Sequence, residues 1–450
     1  MKKFSIENLA RILNAELIEN SGDSITGVSI DSRTAGGGDC FFAIVGENFD
    51  GHNYIAEALA GGAVCAVASK NIRCGDYCLL KVNDTVEALG LLASEYRRQA
   101  DFKVVAITGS VGKTTTRRIT YHVLSQHFRT FEAPKNFNNY IGLPLSLLEA
   151  EPKNQIVIVE LGSNNPGEIA YLSRIARPDI AVVTNVHPVH LAGFGSIETI
   201  VKEKLSISQG LRDGGKLLIN ADYEELVNAC TAAGTEFISF GKSDICEISS
   251  NSFGSTFVID GTEVDLPLPG PGNIENALAA WAICRLFGLS ADDFAAAVRS
   301  LPNISMRAEL LRIGHLTVLN DCYNANPASM KNALDILANL GSKQKGRLVF
   351  ICGQMAELGG QTEQMHASLG VLAAQTKVQL LLAVGDSAKI TAESAKENAE
   401  YDLQTECFEN TLLACNKLAE FIKDSDIILI KGSRVAKLEM VVEKLKEIFS

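Results

Sequence analysis

Short apolar runs recur along the chain, separated by stretches in which apolar positions return every three or four residues. The runs at 104–108, 156–161, 180–185 and 216–220 read as strands buried on both faces, and the stretches between them as helices. That alternation predicts a mostly parallel sheet covered on both sides. Before it, β-like runs at 40–45 and 63–68 mix with helical periodicity at 55–60 and 86–98, the pattern of a small α/β unit. After it, 236–265 breaks into short alternating pieces with Gly and Ser turns and reads as a small antiparallel appendage. Pro267, Pro269, Gly270, Pro271 and Gly272 close that appendage, and a helix over 273–287 follows. From Met306 and Arg307 onward, strand candidates at 316–320, 348–352, 379–384 and 427–431 interleave with helices such as 329–340, a second doubly wound pattern.

The expected fold class is therefore α/β in three domains, with boundaries near 1–100, 101–305 and 306–450: a small α/β unit, a P-loop ATPase-like parallel sheet carrying the appendage, and a Rossmann-like unit. A length of 450 residues supports two or three domains at roughly 150 each. With 46% hydrophobic and 21% charged residues, a disordered or low-complexity chain is excluded. The formal charge of −12 and the lack of a basic stripe exclude nucleic acid as a partner, so an anionic substrate must be met by a local cluster. No apolar run approaches the about 18 residues that span a bilayer. Polar residues interrupt the start after Lys2 and Lys3, which excludes a signal peptide. The 11 cysteines are odd in number and scattered, Cys74 and Cys78 being the closest pair, as expected of reduced thiols in a cytoplasm.

The strongest chemical signal is the strand 104–108 running into Gly109, Ser110, Val111, Gly112, Lys113, Thr114 and Thr115, then a helix. Glycines let backbone amides close around phosphate oxygens, and the helix N-terminus adds partial positive charge. Lys113 would reach the outer phosphates, and the Thr114 hydroxyl could ligate magnesium. The loop is shorter than the common P-loop, because the position five before Gly112 is Ile107 rather than Gly. Glu160 ends the next strong strand at the carboxyl edge, where nucleotide sites form, and is the first magnesium candidate. By themselves His187 and His190 read as hydrogen-bonded loop residues, since hard cations prefer oxygen, and Lys202 and Lys204 as a solvated helix face.

The short loop, the Glu160 strand and the fourteen-residue spacing from His190 to Lys204 together resemble the Mur ligase family, ATP-dependent amide-forming enzymes of peptidoglycan assembly related to folylpolyglutamate synthetase. Segments 136–142 and 273–280 are similar to further family motifs, so the resemblance runs the whole chain. The decapeptide 321–330, with 431–434 and 357–359, looks most like the branch that adds D-alanyl-D-alanine to a UDP-N-acetylmuramoyl-tripeptide.

The resemblance implies that 109–115 holds ATP phosphates, that Thr114 and Glu160 hold one magnesium ion, and that His190 joins a second together with a carbamylated Lys204. It implies that Asn273 faces adenine, Asp321 holds the ribose, and Arg307 reaches the γ-phosphate as the third domain closes. Asp31, Ser32, Arg33 and Phe42 would anchor the UDP sugar, while Asn138, Asn139, Tyr323, Asn324, Asn326, Lys431, Ser433 and Arg434 would meet the peptide substrates. The implied enzyme is a monomeric cytoplasmic ligase working through an acyl phosphate. Two positions depart from the family pattern: 270–273 lacks the usual basic and histidine residues, and Gln354 stands where an acid is usual. A sister ligase with another amine substrate, a folylpolyglutamate synthetase, or a nucleotide-sensing module that makes no bond are the alternatives.

Overall fold

The structure, a computed structural model, describes residues 1–19, 24–72, 77–134, 136–189, 191–251 and 253–450. Three α/β units follow one another along it, each on its own main sheet. In the first, β1 (Phe4–Ser5) pairs with β3 (Ser24–Ile25) around α1 (Ile6–Leu13), which Ser5 caps by accepting the Asn8 amide at 3.2 Å. Its five-stranded sheet has the order β2 (Glu16–Glu19), β7 (Cys78–Lys81), β6 (Cys65–Ala68), β5 (Asp39–Phe42), β4 (Gly27–Ser29), with β2 alone antiparallel. Helices α2 (Ile55–Ala60) and α3 (Thr85–Gln99) complete it.

The central unit is a six-stranded parallel sheet, order β13-β12-β11-β8-β10-β9. Along the chain it runs β8 (Lys103–Thr108), α4 (Lys113–Leu124), β9 (Thr130–Glu132), α5 (Gly142–Glu149), β10 (Ile156–Glu160), α6 (Glu168–Ala176) and β11 (Ile180–Val183). It continues with α7 (Leu191–Phe194), α8 (Ile197–Leu205), β12 (Lys216–Asn220), α9 (Glu224–Ala232) and β13 (Ile238–Phe240). Strand order reverses at β8, so the loop after it lies at the switch point where open parallel sheets leave a crevice.

Here the appendage expected over 236–265 is corrected. Residues 238–240 form the sixth strand of the central sheet, parallel to β12, and only β14 (Ile245–Ser250), β15 (Ser255–Ile259) and β16 (Thr262–Leu266) make the antiparallel sheet. A three-residue edge strand with Phe240 as its one buried residue is too short to display a period. The following helix, α10 (Pro271–Leu286), also begins earlier than expected, because Pro271 takes the first helical position, where a missing N–H costs nothing. α11 (Ala291–Val298) follows.

The third unit has the order β17-β18-β22-β19-β20-β21, with β17 (Glu309–Ile313) antiparallel at the edge. Its chain order is β18 (Leu316–Asn320), α12 (Pro327–Lys343), β19 (Leu348–Gly353), α13 (Thr362–Gln375), β20 (Leu380–Val384) and α14 (Asp386–Asn398). β21 (Gln404–Phe408), α15 (Thr411–Phe421), β22 (Ile427–Lys431) and α16 (Glu439–Phe449) end the chain.

Helix α3 joins the first unit to the central one: it packs on α5 and α6, and buried Arg97 donates to the carbonyl oxygens of Phe102, Ala176 and Arg177 and to Asp179. One apolar core accordingly contains residues from Phe4 to Cys230. No described helix is long and apolar enough to cross a membrane. The described cysteines are free thiols; Cys74 lies outside the described residues.

Candidate active site

The loop after β8 is held in shape before anything binds. Gly112 caps α4 with φ 82°, a left-handed conformation that side chains resist, and a Cβ there would stand 2.0 Å from Asn276 Oδ1. A Cβ on Gly109 would stand 2.0 Å from Thr184 Oγ1. Between them, Val111 N–H donates to Asn185 Oδ1 (2.9 Å), and the Val111 carbonyl accepts from Thr184 Oγ1 (2.9 Å) and Asn185 Nδ2 (3.0 Å). Ser110 Oγ accepts the His187 amide (2.9 Å) and donates to the His187 carbonyl (3.1 Å). The segment after β11 therefore fixes a loop whose helix, α4, has no side-chain cap. Thr115, at the start of α4, is buried.

Around the loop, basic groups surround one buried carboxylate. Glu160 Oε1 accepts Arg117 Nε at 2.6 Å, and Glu160 Oε2 accepts the Thr114 hydroxyl at 3.1 Å. Arg307, from the third unit, donates through Nη2 to the same Thr114 oxygen at 3.1 Å, its guanidinium 4.1 Å from the Tyr323 ring centroid. Lys113 folds back to donate to the Gly109 carbonyl at 2.7 Å. Burial pushes its ammonium down to about 8, with Glu160 opposing and Arg307 reinforcing the shift. Lys204 is 1% exposed; its Nζ donates to Ser163 Oγ at 2.8 Å and lies 5.6 Å from the Phe194 ring centroid. Burial, then Lys113, push it down to about 7, against Glu203 and Glu168. The expectation of a solvated helix face is thus corrected for Lys204.

In a chain of net charge −12, this is the local cation cluster that a polyphosphate needs. Thr114 and Glu160 form a hard oxygen pair suited to magnesium. Among the described residues no group of three or more His, Cys, Asp and Glu converges. The remaining ligands would then be phosphate and water oxygens, the usual manner of magnesium at nucleotide sites.

The other expected site residues divide. His190 lies outside the described residues. Asn273 bonds the Pro269 carbonyl (2.7 Å) and Asn276 Nδ2 (3.2 Å), which places it at the start of α10 beside the loop. The Asp321 carboxylate accepts from the Ala308 amide (3.0 Å) and from buried Lys431 (2.5 Å), which also reaches the Asn324 carbonyl (3.0 Å). Asn326 caps α12, its Oδ1 accepting from Ser329 N at 2.9 Å. Asn139 Oδ1 accepts the Ile141 (3.2 Å) and Gly142 (2.9 Å) amides just ahead of α5, and the Asn138 carbonyl accepts from Gly162 N (2.9 Å), two residues beyond Glu160. The Ser433 hydroxyl is buried without a partner among the described residues, and exposed Arg434 pairs with Glu439 at 2.8 Å.

In the first unit Arg33 forks onto Asp31 (2.8 and 2.6 Å) at the surface, holding that carboxyl down to about 2, with Ser32 half-buried between them. Phe42 is a correction: its side chain is wholly inside the core, packed there by β5, and cannot face a ligand. His187 is a hydrogen-bonded loop residue, its Nε2 3.1 Å from Tyr223 Oη. Sequence reasoning missed Arg117, although its position three residues after Thr114 on α4 puts both on one face.

Comparisons with known proteins give three family matches: the Mur ligase family, catalytic domain, over residues 24–97; the Mur ligase middle domain over 107–284; and the Mur ligase, glutamate ligase domain, over 306–434. The UDP-N-acetylmuramoyl-tripeptide--D-alanyl-D-alanine ligase of Escherichia coli is 34% identical, and that of Bacillus subtilis 32%, each over 99% of both chains. A crystal structure of MurF from Acinetobacter baumannii superposes with a TM-score of 0.89 at 30% identity, over 99% of both chains. MurF ligase from Thermotoga maritima in complex with ADP gives 0.82 at 27% identity, over 94% of this chain and 97% of that one.

Proposed function

Since this chain belongs to the Mur ligase family, we propose that it joins D-alanyl-D-alanine to UDP-N-acetylmuramoyl-tripeptide, using ATP and releasing ADP and phosphate, in peptidoglycan precursor synthesis. The observation that carries the reading is the meeting at Thr114. The phosphate loop, the buried carboxylate Glu160 and Arg307 from the third unit share that one hydroxyl.

The terminal carboxylate of the tripeptide is a poor electrophile because its leaving group would be oxide. Attack of that carboxylate oxygen on the γ-phosphorus breaks the bond to ADP and gives an acyl phosphate. The dipeptide amine then attacks the acyl carbon, phosphate leaves, and the amine gives up a proton. Lys113, Arg307 and the 109–115 amides would bind and orient the transferring group, work that is mostly positioning and electrostatics. Magnesium at Thr114 and Glu160, and a second ion at His190 and Lys204, would supply charge neutralisation when bound.

Carbamylation gives Lys204 a role that its burial supports: the neutral amine adds to carbon dioxide, releases a proton and becomes an oxygen ligand. A nearly inaccessible lysine beside Lys113 is a poor place for an ammonium and a good one for a carbamate. In this reading residues 1–100 bind the UDP substrate, 101–305 bind ATP, with Asn273 toward adenine and Asp321 toward ribose, and 306–450 bind the dipeptide. Closure of the third domain would keep water from the acyl phosphate. Every proposed group comes from one chain, so a monomer suffices, and the cytoplasm supplies both ATP and the UDP-linked precursor.

The test is ADP release with purified UDP-N-acetylmuramoyl-tripeptide, with and without D-alanyl-D-alanine, on wild type and Lys113→Ala. Dipeptide-dependent turnover that falls by about 100-fold or more in the variant is expected. Turnover without the dipeptide, or an active Lys113→Ala, would overturn the reading.

A further inference from the structure

Lys204 and its neighbour Glu203 sit at the end of α8, both buried, at 1% and 4% exposure. Successive helical side chains diverge by about 100°, so the two reach different places. Both places belong to one segment, the connection from β10 to α6. Lys204 Nζ donates to Ser163 Oγ at 2.8 Å, three residues past Glu160. Glu203 accepts two amides at the other end, Gly167 N on Oε2 and Ile169 N on Oε1, both at 2.7 Å.

We infer that Glu203 is a positioning residue for Lys204: the two consecutive side chains grip opposite ends of the 163–169 connection, and Glu203's hold fixes where the Lys204 amine stands relative to Glu160. Both oxygens of Glu203 are used at the N-terminus of α6, one on the amide of its N-cap Gly167 and one on the first-turn amide of Ile169, short charge-assisted bonds that the helix dipole strengthens. Among the described residues Lys204 has a hydroxyl and an aromatic face to hold it, so its place depends on the backbone that carries it. A glutamine at 203 can accept one amide, but its NH₂ meets the other N–H donor to donor. The consequence for carbamate formation rests on the proposed role of Lys204; the positional claim does not.

The test uses the whole protein with Glu203→Gln, nearly isosteric, and Glu203→Ala. Modification of Lys204 by cyanate, followed by mass spectrometry, is expected to be about tenfold faster in the variants, because the amine is no longer held inside. With ¹³C-bicarbonate, the carbamate resonance absent from a Lys204→Ala blank is expected to need about tenfold more bicarbonate for half-occupancy in Glu203→Gln. In that variant kcat recovers at high bicarbonate while KM for the UDP substrate stays put. Unchanged cyanate labelling in both variants, with only a lower Tm, would overturn the inference and leave Glu203 a plain helix cap. A wild type with no carbamate resonance would instead sink the proposed chemistry of Lys204, while the labelling rates still decide for or against Glu203.

Discussion

Arg307 reaches Thr114 from another unit, and the Tyr323 face beneath its guanidinium is what limits its swing. Tyr323→Phe keeps that face and is expected to hold kcat/KM for dipeptide-dependent ADP release within about twofold, whereas Tyr323→Ala loses about tenfold. A Phe variant as poor as Ala would move the role to the hydroxyl and to substrate. Lys204 yields a second prediction. Its folded ammonium titrates near 7, against about 10.4 in an unfolded chain. The unfolded chain therefore binds more protons between those values, and stability rises with pH across that window. Lys204→Met, in carbon-dioxide-free buffer, is expected to raise Tm relative to wild type at pH 6 and to lose that advantage by pH 9; a constant difference would refute the buried ammonium. The residues legible in the sequence are those whose chemistry follows from a strand-loop-helix frame: Lys113, Thr114 and Glu160. Arg117 carried no such flag, because an arginine on a helix face is ordinarily solvated, and only the packed sheet shows it bonding Glu160. The place of Phe42 after Asp31–Arg33 in sequence does not reveal that β5 is covered on both faces, so that Phe41 and Phe42 are both buried, each in a different core.

Helix caps offer a plainer account of some residues that the family resemblance assigns to substrate. Asn326 accepts the Ser329 amide while Ser329 Oγ accepts the Asn326 amide at 3.1 Å, a reciprocal cap on α12 behind Pro327. Asn326→Ser, also a good cap, is expected to keep both stability and activity, and Asn326→Ala to lose about 1 kcal/mol in urea unfolding. Should Asn326→Ser unfold like wild type yet fail in turnover, Asn326 touches substrate as well. Strands buried on both faces, such as β8, β12, β18 and β22, are readable because their apolar runs are only five or six residues long, too short for a helix, and glycine or polar residues bound them. Edge strands are not: β9 is half-buried throughout, and β21 alternates polar residues with one buried end at Phe408. Their pairing comes from β10 and β20 beside them, information that no local window contains.

Across the whole molecule, the order of the three sheets could be read along the chain, but not which surfaces meet. That α3 belongs to two units depends on Arg97 finding carbonyls 79 and 80 residues away. Among the described residues the third unit meets the central one at several contacts: Arg307 to Thr114, Gly272 N–H to Asn332 Oδ1 on α12 (3.1 Å), Lys343 Nζ to the Ser250 carbonyl (3.1 Å), and Gly359 against α7. The last connects to the surroundings of Lys204, because α7 ends in Phe194, whose ring centroid lies 5.6 Å from the Lys204 amine. Gly359 has φ 57°, and a Cβ there would lie 3.2 Å from Ala192 Cα and 3.3 Å from Ala192 Cβ, so a side chain at 359 would crowd α7 and push it by a few tenths of an ångström. Strain and crowding can be separated. Asparagine tolerates the left-handed conformation, so Gly359→Asn mainly adds the crowding. Pushing α7 by a few tenths of an ångström would shift Phe194 against the amine, and a kcat lower by about threefold is expected, with KM for ATP unchanged. Ala192→Gly removes one of the crowded atoms, and in the double variant most of that loss should return. A loss that the second substitution leaves intact would assign the effect to the loop's own backbone and not to the contact between units.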